Sequence, residues 1–137
     1  MVSDPASIVH FTFSPVQSFV AQARRARDLW ASSYLISYLA GVAMKAIGPS
    51  RIVFPKVEND EMMRAIEGKW DRNKPDFQPF QRIGSLPNRF TAQTDVVGAK
   101  QAAKALRETW KKIAQNLFKI FSVTKQEMQA LPWNGSS

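Results

Sequence analysis

The sequence predicts an α+β domain built as a ferredoxin-like βαββα unit that lacks its last strand. Three observations lead there. Short β-branched and aromatic runs stand at Ile8–Phe13, Arg51–Phe54 and Arg89–Thr94. Long stretches with apolar residues at three-four spacing follow the first and the third of them. The order is therefore strand, helix, strand, short helix, strand, helix.

The first strand, IVHFTF, alternates. Val9, Phe11 and Phe13 face one side, and Ile8, His10 and Thr12 the other. It runs directly into Ser14–Gly48, which reads as one long helix or as two meeting near Ala31-Ser32-Ser33. Ser14, Pro15 and Gln17 make a capping box with proline at the first helical position. Gly48 suits a left-handed end, and Pro49 stops continuation. Val16, Phe19, Val20, Ala23, Trp30 and Tyr34 form the stripe expected to be buried. Beyond Trp30 the apolar surface widens through Leu35, Ile36 and Leu39, so this half is expected to be covered on more than one side.

Arg51–Phe54 is a second strand closed by Pro55. A short helix within Val57–Gly68 has Asn59 or Asp60 as cap, Met62, Met63 and Ile66 as its apolar side and Gly68 as its end. Residues 69–87 form an irregular loop with Pro75, Pro79, Gly84 and Pro87, pinned by Phe77 and Phe80. In RFTAQT, Phe90 and Ala92 point one way, and Arg89 and Thr91 the other. Thr94 or Asp95 opens the second long helix, to about Phe121. Its stripe is Ala99, Ala102, Ala103, Leu106, Trp110, Ile113, Leu117 and Phe121. Thr124 and Glu127 mark a brief separate helix, and residues 122–137 read as C-terminal helix and tail. The whole, residues 1–137, is read as a single domain. Its missing strand would leave an open sheet edge, capable of pairing with another copy. The simplest account is that the chain is the front part of a longer protein.

Composition narrows the function classes. Hydrophobic residues make up 45% of the chain, which supports a packed core. The absence of cysteine removes disulfides and thiolate metal sites. A single histidine, His10, excludes any metal site that needs two. The longest apolar run is interrupted by Ser37 and Gly41 and falls short of a membrane span, and no secretory layout opens the chain. A cytoplasmic protein is the default expectation. The net charge of +8 points to an acidic partner such as nucleic acid, or to a solvated basic surface.

Little in the chain fits catalysis. His10 lies within a strand and reads as a packed or hydrogen-bonded histidine. Glu58, Asp60 and Glu61 cluster, but as the acidic first turn of a helix rather than as metal ligands. No catalytic residue and no metal ligand is expected. Anion binding is the better prospect, because Ser14–Gln17 opens a helix whose free N–H groups suit a phosphate; plain capping is the alternative. Arg24, Arg25 and Arg27 form a basic cluster. It serves either as contact with RNA or a neighbouring subunit, or as a solvated face with Arg24 paired to Asp28. Asn88-Arg89 is either a turn or a polar group beside the terminus of the first helix.

The run FSPVQSFVAQARRARDLWASSYLISYLAG resembles the start of the polymerase/cyclase-like large subunit of type III-B CRISPR complexes, the Cmr module. That family usually shows Gly-Pro-Val-Gln, an Ala-Arg-Arg-Thr-Arg-Asp-Leu-Trp run and a Ser-aromatic-Leu-Leu/Ile-Ser tail. Here Ser14 replaces the glycine and Ala26 the threonine. GSLPNRFTA, Gly84–Ala92, resembles a second family block, and RIVFPKVEN fits the strand between them.

The resemblance implies a first palm-like domain that packs against a second palm of the same parent protein. That second palm carries Gly-Gly-Asp-Asp, and ATP, with Mg, is held between the two. It implies an RNA-guided antiviral complex in which target RNA switches on synthesis of cyclic oligoadenylates, with CRISPR RNA and other Cmr subunits as partners. On this basis Ser14, Gln17, Ser33 and Asn88 are the candidate nucleotide-binding residues. The chain holds neither Gly-Gly-Asp-Asp nor a His-Asp motif, so it is expected to be non-catalytic by itself. The alternative is a free-standing basic RNA-binding α+β module, which would need aromatic side chains on an exposed sheet face.

Overall fold

The computed structural model describes residues 6–13, 26–69, 73 and 84–129. Strand β1 is Ser7–Thr12 and helix α1 is Ala26–Ile47. A 3-10 turn, Pro49–Arg51, leads into β2, Ile52–Phe54. Helix α2 is Glu61–Ile66, β3 is Arg89–Thr94 and α3 is Val96–Gln129.

The three strands form one antiparallel sheet in the order β1-β3-β2. The α+β class therefore holds. β1 and β3 pair from Ser7 opposite Thr94 to Thr12 opposite Arg89. Alternation along β3 is clean: Phe90, Ala92 and Thr94 are buried, while Arg89 and Gln93 are exposed. Phe11 lies opposite Phe90 and their rings stack, with centroids 4.9 Å apart. Among the described residues, no strand pairs with the outer edge of β1 or of β2.

The helices cover the face that carries Phe90 and Ala92. Ala40, Ala43, Met44 and Ile47 of α1 meet Met62 and Met63 of α2, Ala102 of α3, and Ile52, Phe90 and Ala92 of the sheet. Short side chains on α1 let α3 approach, and the methionines fill the irregular space that remains. α1 is continuous through Ala31-Ser32-Ser33, so no break divides it there. Its end follows expectation. Gly48 has φ 114°, and its N–H donates to the Met44 carbonyl at 2.9 Å. The short helix α2 is capped by Asp60, whose carboxylate accepts from the Met63 N–H at 2.9 Å. The Lys45 ammonium donates to the Ile66 carbonyl at 3.0 Å and ties the end of α2 to α1.

Three sequence expectations need correction. Trp30 was expected in the buried stripe but is half exposed, and it stacks on Tyr34 with ring centroids 5.4 Å apart. The final helix is not separate, because α3 runs unbroken from Val96 to Gln129. The stripe on α3 is buried only at its start. Ala102 is inaccessible and Leu106 packs on the core, but Trp110 and Leu117 are exposed. Helical spacing identifies a face; it does not say how far a neighbour extends to cover it. The expectations for Val16, Phe19, Val20, Ala23, Phe77 and Phe80 lie outside the described residues, as does Ser14–Gln17.

Candidate functional site

Two places bring together residues that the sequence singled out. The first is the junction where β1 ends and β3 begins. The Phe13 N–H donates to the Asn88 carbonyl, and the Asn88 side-chain amide donates back to the Phe13 carbonyl, each at 3.4 Å. Asn88 thus fixes the backbone immediately before Ser14. Its side chain reaches the backbone at the exit of β1.

Residues 84–88 reach this junction by lying along α1. The Leu86 N–H donates to the Ser37 hydroxyl at 2.6 Å, with both residues buried. Gly84 presses still closer. A Cβ there would stand 3.0 Å from the Ser33 carbonyl oxygen and 2.8 Å from the Ser37 Cβ. The segment therefore starts against Ser33 and ends on Phe13, linking two of the four candidate nucleotide residues. Ser33 itself is exposed. Ser14, Gln17, Arg24 and Arg25 lie outside the described residues; Arg27 lies in α1, with its side chain likewise outside the description.

The second place is the sheet face turned away from the helices. His10, Thr91 and Phe54 occupy one row across all three strands. The His10 ring nitrogen Nδ1 is 2.9 Å from the Thr91 hydroxyl. The next row holds Thr12 opposite Arg89. Together with Phe11 and Phe90 these residues line a groove of about 410 Å³. Among the residues lining it, none is acidic.

Phe54 is the residue that sequence reasoning missed. With strict alternation, Ile52 and Phe54 would share the buried side. An irregularity between them shifts the register: Ile52 pairs with Ala92, but Phe54 pairs with Thr91. Ile52 is buried and Phe54 is 66% exposed. A bulge adds one residue to one strand and turns the following side chain to the other face. The only sequence hint was Pro55 directly after the strand, at a place where pairing ends.

No group of His, Cys, Asp or Glu among the described residues is placed to hold a metal ion. Asp60 is engaged as a helix cap, in keeping with the acidic-first-turn reading of Glu58, Asp60 and Glu61. Among the described residues no helix is long and apolar enough to cross a membrane.

Comparison with known proteins supplies a frame for this geometry. A family model described as "CRISPR-associated protein Cmr2, N-terminal" matches residues 8–115, which include α1, β2, α2 and β3 entirely. The chain is also 31% identical over 133 residues to the CRISPR system Cmr subunit Cmr2 of Pyrococcus furiosus. That similarity covers 88% of this chain but spans only 13% of the relative's length.

Proposed function

The chain belongs to the Cmr2 N-terminal family, the N-terminal region of the large subunit of type III-B CRISPR Cmr complexes, and we propose that it serves there as a non-catalytic, palm-like half of a nucleotide pocket. In this reading a second palm of the longer protein supplies the catalytic carboxylates and the magnesium ligands. ATP lies between the two, and the assembled complex, with CRISPR RNA and target RNA bound, makes cyclic oligoadenylates. The Ser14–Gln17 turn contributes backbone N–H groups and the Gln17 amide to the phosphates.

The observation that carries this proposal is the Phe13–Asn88 pair of hydrogen bonds. It anchors the chain at Phe13, one residue before the phosphate-binding turn would begin, and a turn that cradles phosphate must be held in place beforehand. The antiparallel order β1-β3-β2 supports the ferredoxin-like part of the reading. In a βαββαβ unit that order belongs to the first three strands, and the fourth would pair with the outer edge of β1.

The test is ATP binding by the full-length protein assembled with its partner subunits, CRISPR RNA and target RNA. Gln17→Ala removes one hydrogen bond to the nucleotide and should weaken ATP binding by roughly 3- to 10-fold. Production of cyclic oligoadenylate should fall with it. Unchanged affinity for ATP overturns the pocket while leaving family membership intact.

A further inference from the structure

The groove on the open sheet face is unlike an ordinary solvated face. Antiparallel sheets often turn one side to water, and Thr12, Thr91, Arg89 and Gln93 are what such a side carries. Phe54 is not. Its ring stands 66% exposed in the same row as the His10 imidazole, with only the small Thr91 between them. The two aromatic side chains arise two strand spacings apart, about 10 Å, over a floor of low threonine.

We propose that this face is a platform for single-stranded nucleic acid, with a base stacked on Phe54 and the adjoining phosphate drawn to Arg89. Every base offers a π-face, so stacking on an exposed ring does not depend on sequence. The charge fits a polyanion. The chain carries a net +8, Arg89 lines the groove, and no acidic residue does. Arg51 and Lys56, just before and just after β2 in sequence, are exposed as well, although they do not line the groove. A free triphosphate needs donors gathered at one point, and this groove has none gathered so. An acidic peptide would satisfy the charge but not the ring. This proposal stands on the groove alone and makes no use of Ser14 or Gln17.

The test is fluorescence anisotropy of the full chain with labelled oligouridylate and oligothymidylate of about a dozen nucleotides. Phe54→Ala should weaken binding at least about 5-fold, and Phe54→Trp should restore it. Arg89→Ala should lower the slope of log affinity against log salt by about 0.7, the value for one phosphate on a single strand. Because Phe54 is exposed, its variants should unfold at the wild-type temperature, which a thermal melt verifies. Three results would each overturn the proposal. The first is unchanged binding by Phe54→Ala. The second is equal binding of polyglutamate, which would reduce the effect to charge. The third is displacement of the oligonucleotide by ATP at matched nucleotide concentration, which would make the groove a mononucleotide seat. In the assembled complex, a photoreactive group at position 54 should crosslink to nucleic acid; crosslinking to a protein subunit instead also overturns it.

Discussion

Removing the Ser37 hydroxyl should destabilise the protein well beyond the loss of one oxygen atom. Ser37 is 1% exposed and Leu86 is 5% exposed, and the Leu86 N–H donates to the Ser37 hydroxyl at 2.6 Å. Ser37→Ala leaves that N–H buried with no acceptor. Water cannot readily replace it, because Gly84 already lies so close that a Cβ there would stand 2.8 Å from the Ser37 Cβ. A buried donor stripped of its partner costs about 1–3 kcal/mol, against a net 0.5–1.5 for an ordinary hydrogen bond. The cavity left by one oxygen adds little. The expected loss is therefore about 2 kcal/mol. In urea, with a slope of about 1–3 kcal/mol/M, the midpoint should fall by about 1 M with the slope unchanged. Hydrogen exchange at the Leu86 amide should accelerate, because that amide is the one released. A loss below about 0.5 kcal/mol with Leu86 protection intact would refute the argument. It would mean that residues 84–88 are not held to α1 by this bond, and the path from Ser33 to Asn88 would lose its anchor.

Two further outcomes follow from the packing. Asp60→Ala removes the cap of the six-residue helix α2 and should cost about 1 kcal/mol, with the Met63 amide the first to lose exchange protection. Leu117→Ser should change stability by less than about 0.5 kcal/mol in a urea titration, because Leu117 is 58% exposed although it lies on the same stripe as buried Ala102; a larger loss would show that the far end of α3 is packed.

The sequence made some of this legible and hid the rest for physical reasons. Alternation grouped Val9 with Phe11 in IVHFTF and Phe90 with Ala92 in RFTAQT, because period two is intrinsic to a strand; the pairing of β1 with β3 brings the two groups to one face. Gly48 and Asp60 were readable because each performs a local task, a positive φ or a cap, that few residue types perform well. Ser37 and Gly41 were different. In the sequence they interrupt an apolar run; in the fold they are buried contact points. Ser37 serves Leu86, and Gly41 leaves room for Ile66 and Leu86, whose side chains would collide with a Cβ. Neither role is visible without the partner, which stands far along the chain. The exposed end of the α3 stripe was misjudged for the same reason. Periodicity is local, and burial is not.

Phe54 joins these two limits at the place where function is argued. The bulge that turns it outward is set by how three residues of β2 pair with β3, and pairing is a tertiary event. Without the shift, Phe54 would follow Ile52 to the side of Ala92, and the open face would carry threonine, histidine, glutamine and arginine with the aliphatic Ile8 and Val53. Such a face would call for no explanation beyond solvation. With the shift, the sheet holds its stacked pair Phe11–Phe90 inside and a third phenylalanine outside, in line with His10. The RNA-binding alternative needs aromatics on an exposed sheet face, and Phe11, Phe13 and Phe90, each beside apolar neighbours, do not supply them: Phe90 is buried and Phe11 and Phe13 pack on the core. The structure moves that question to β2, where a single ring and a neighbouring arginine are open to direct substitution without disturbing the core.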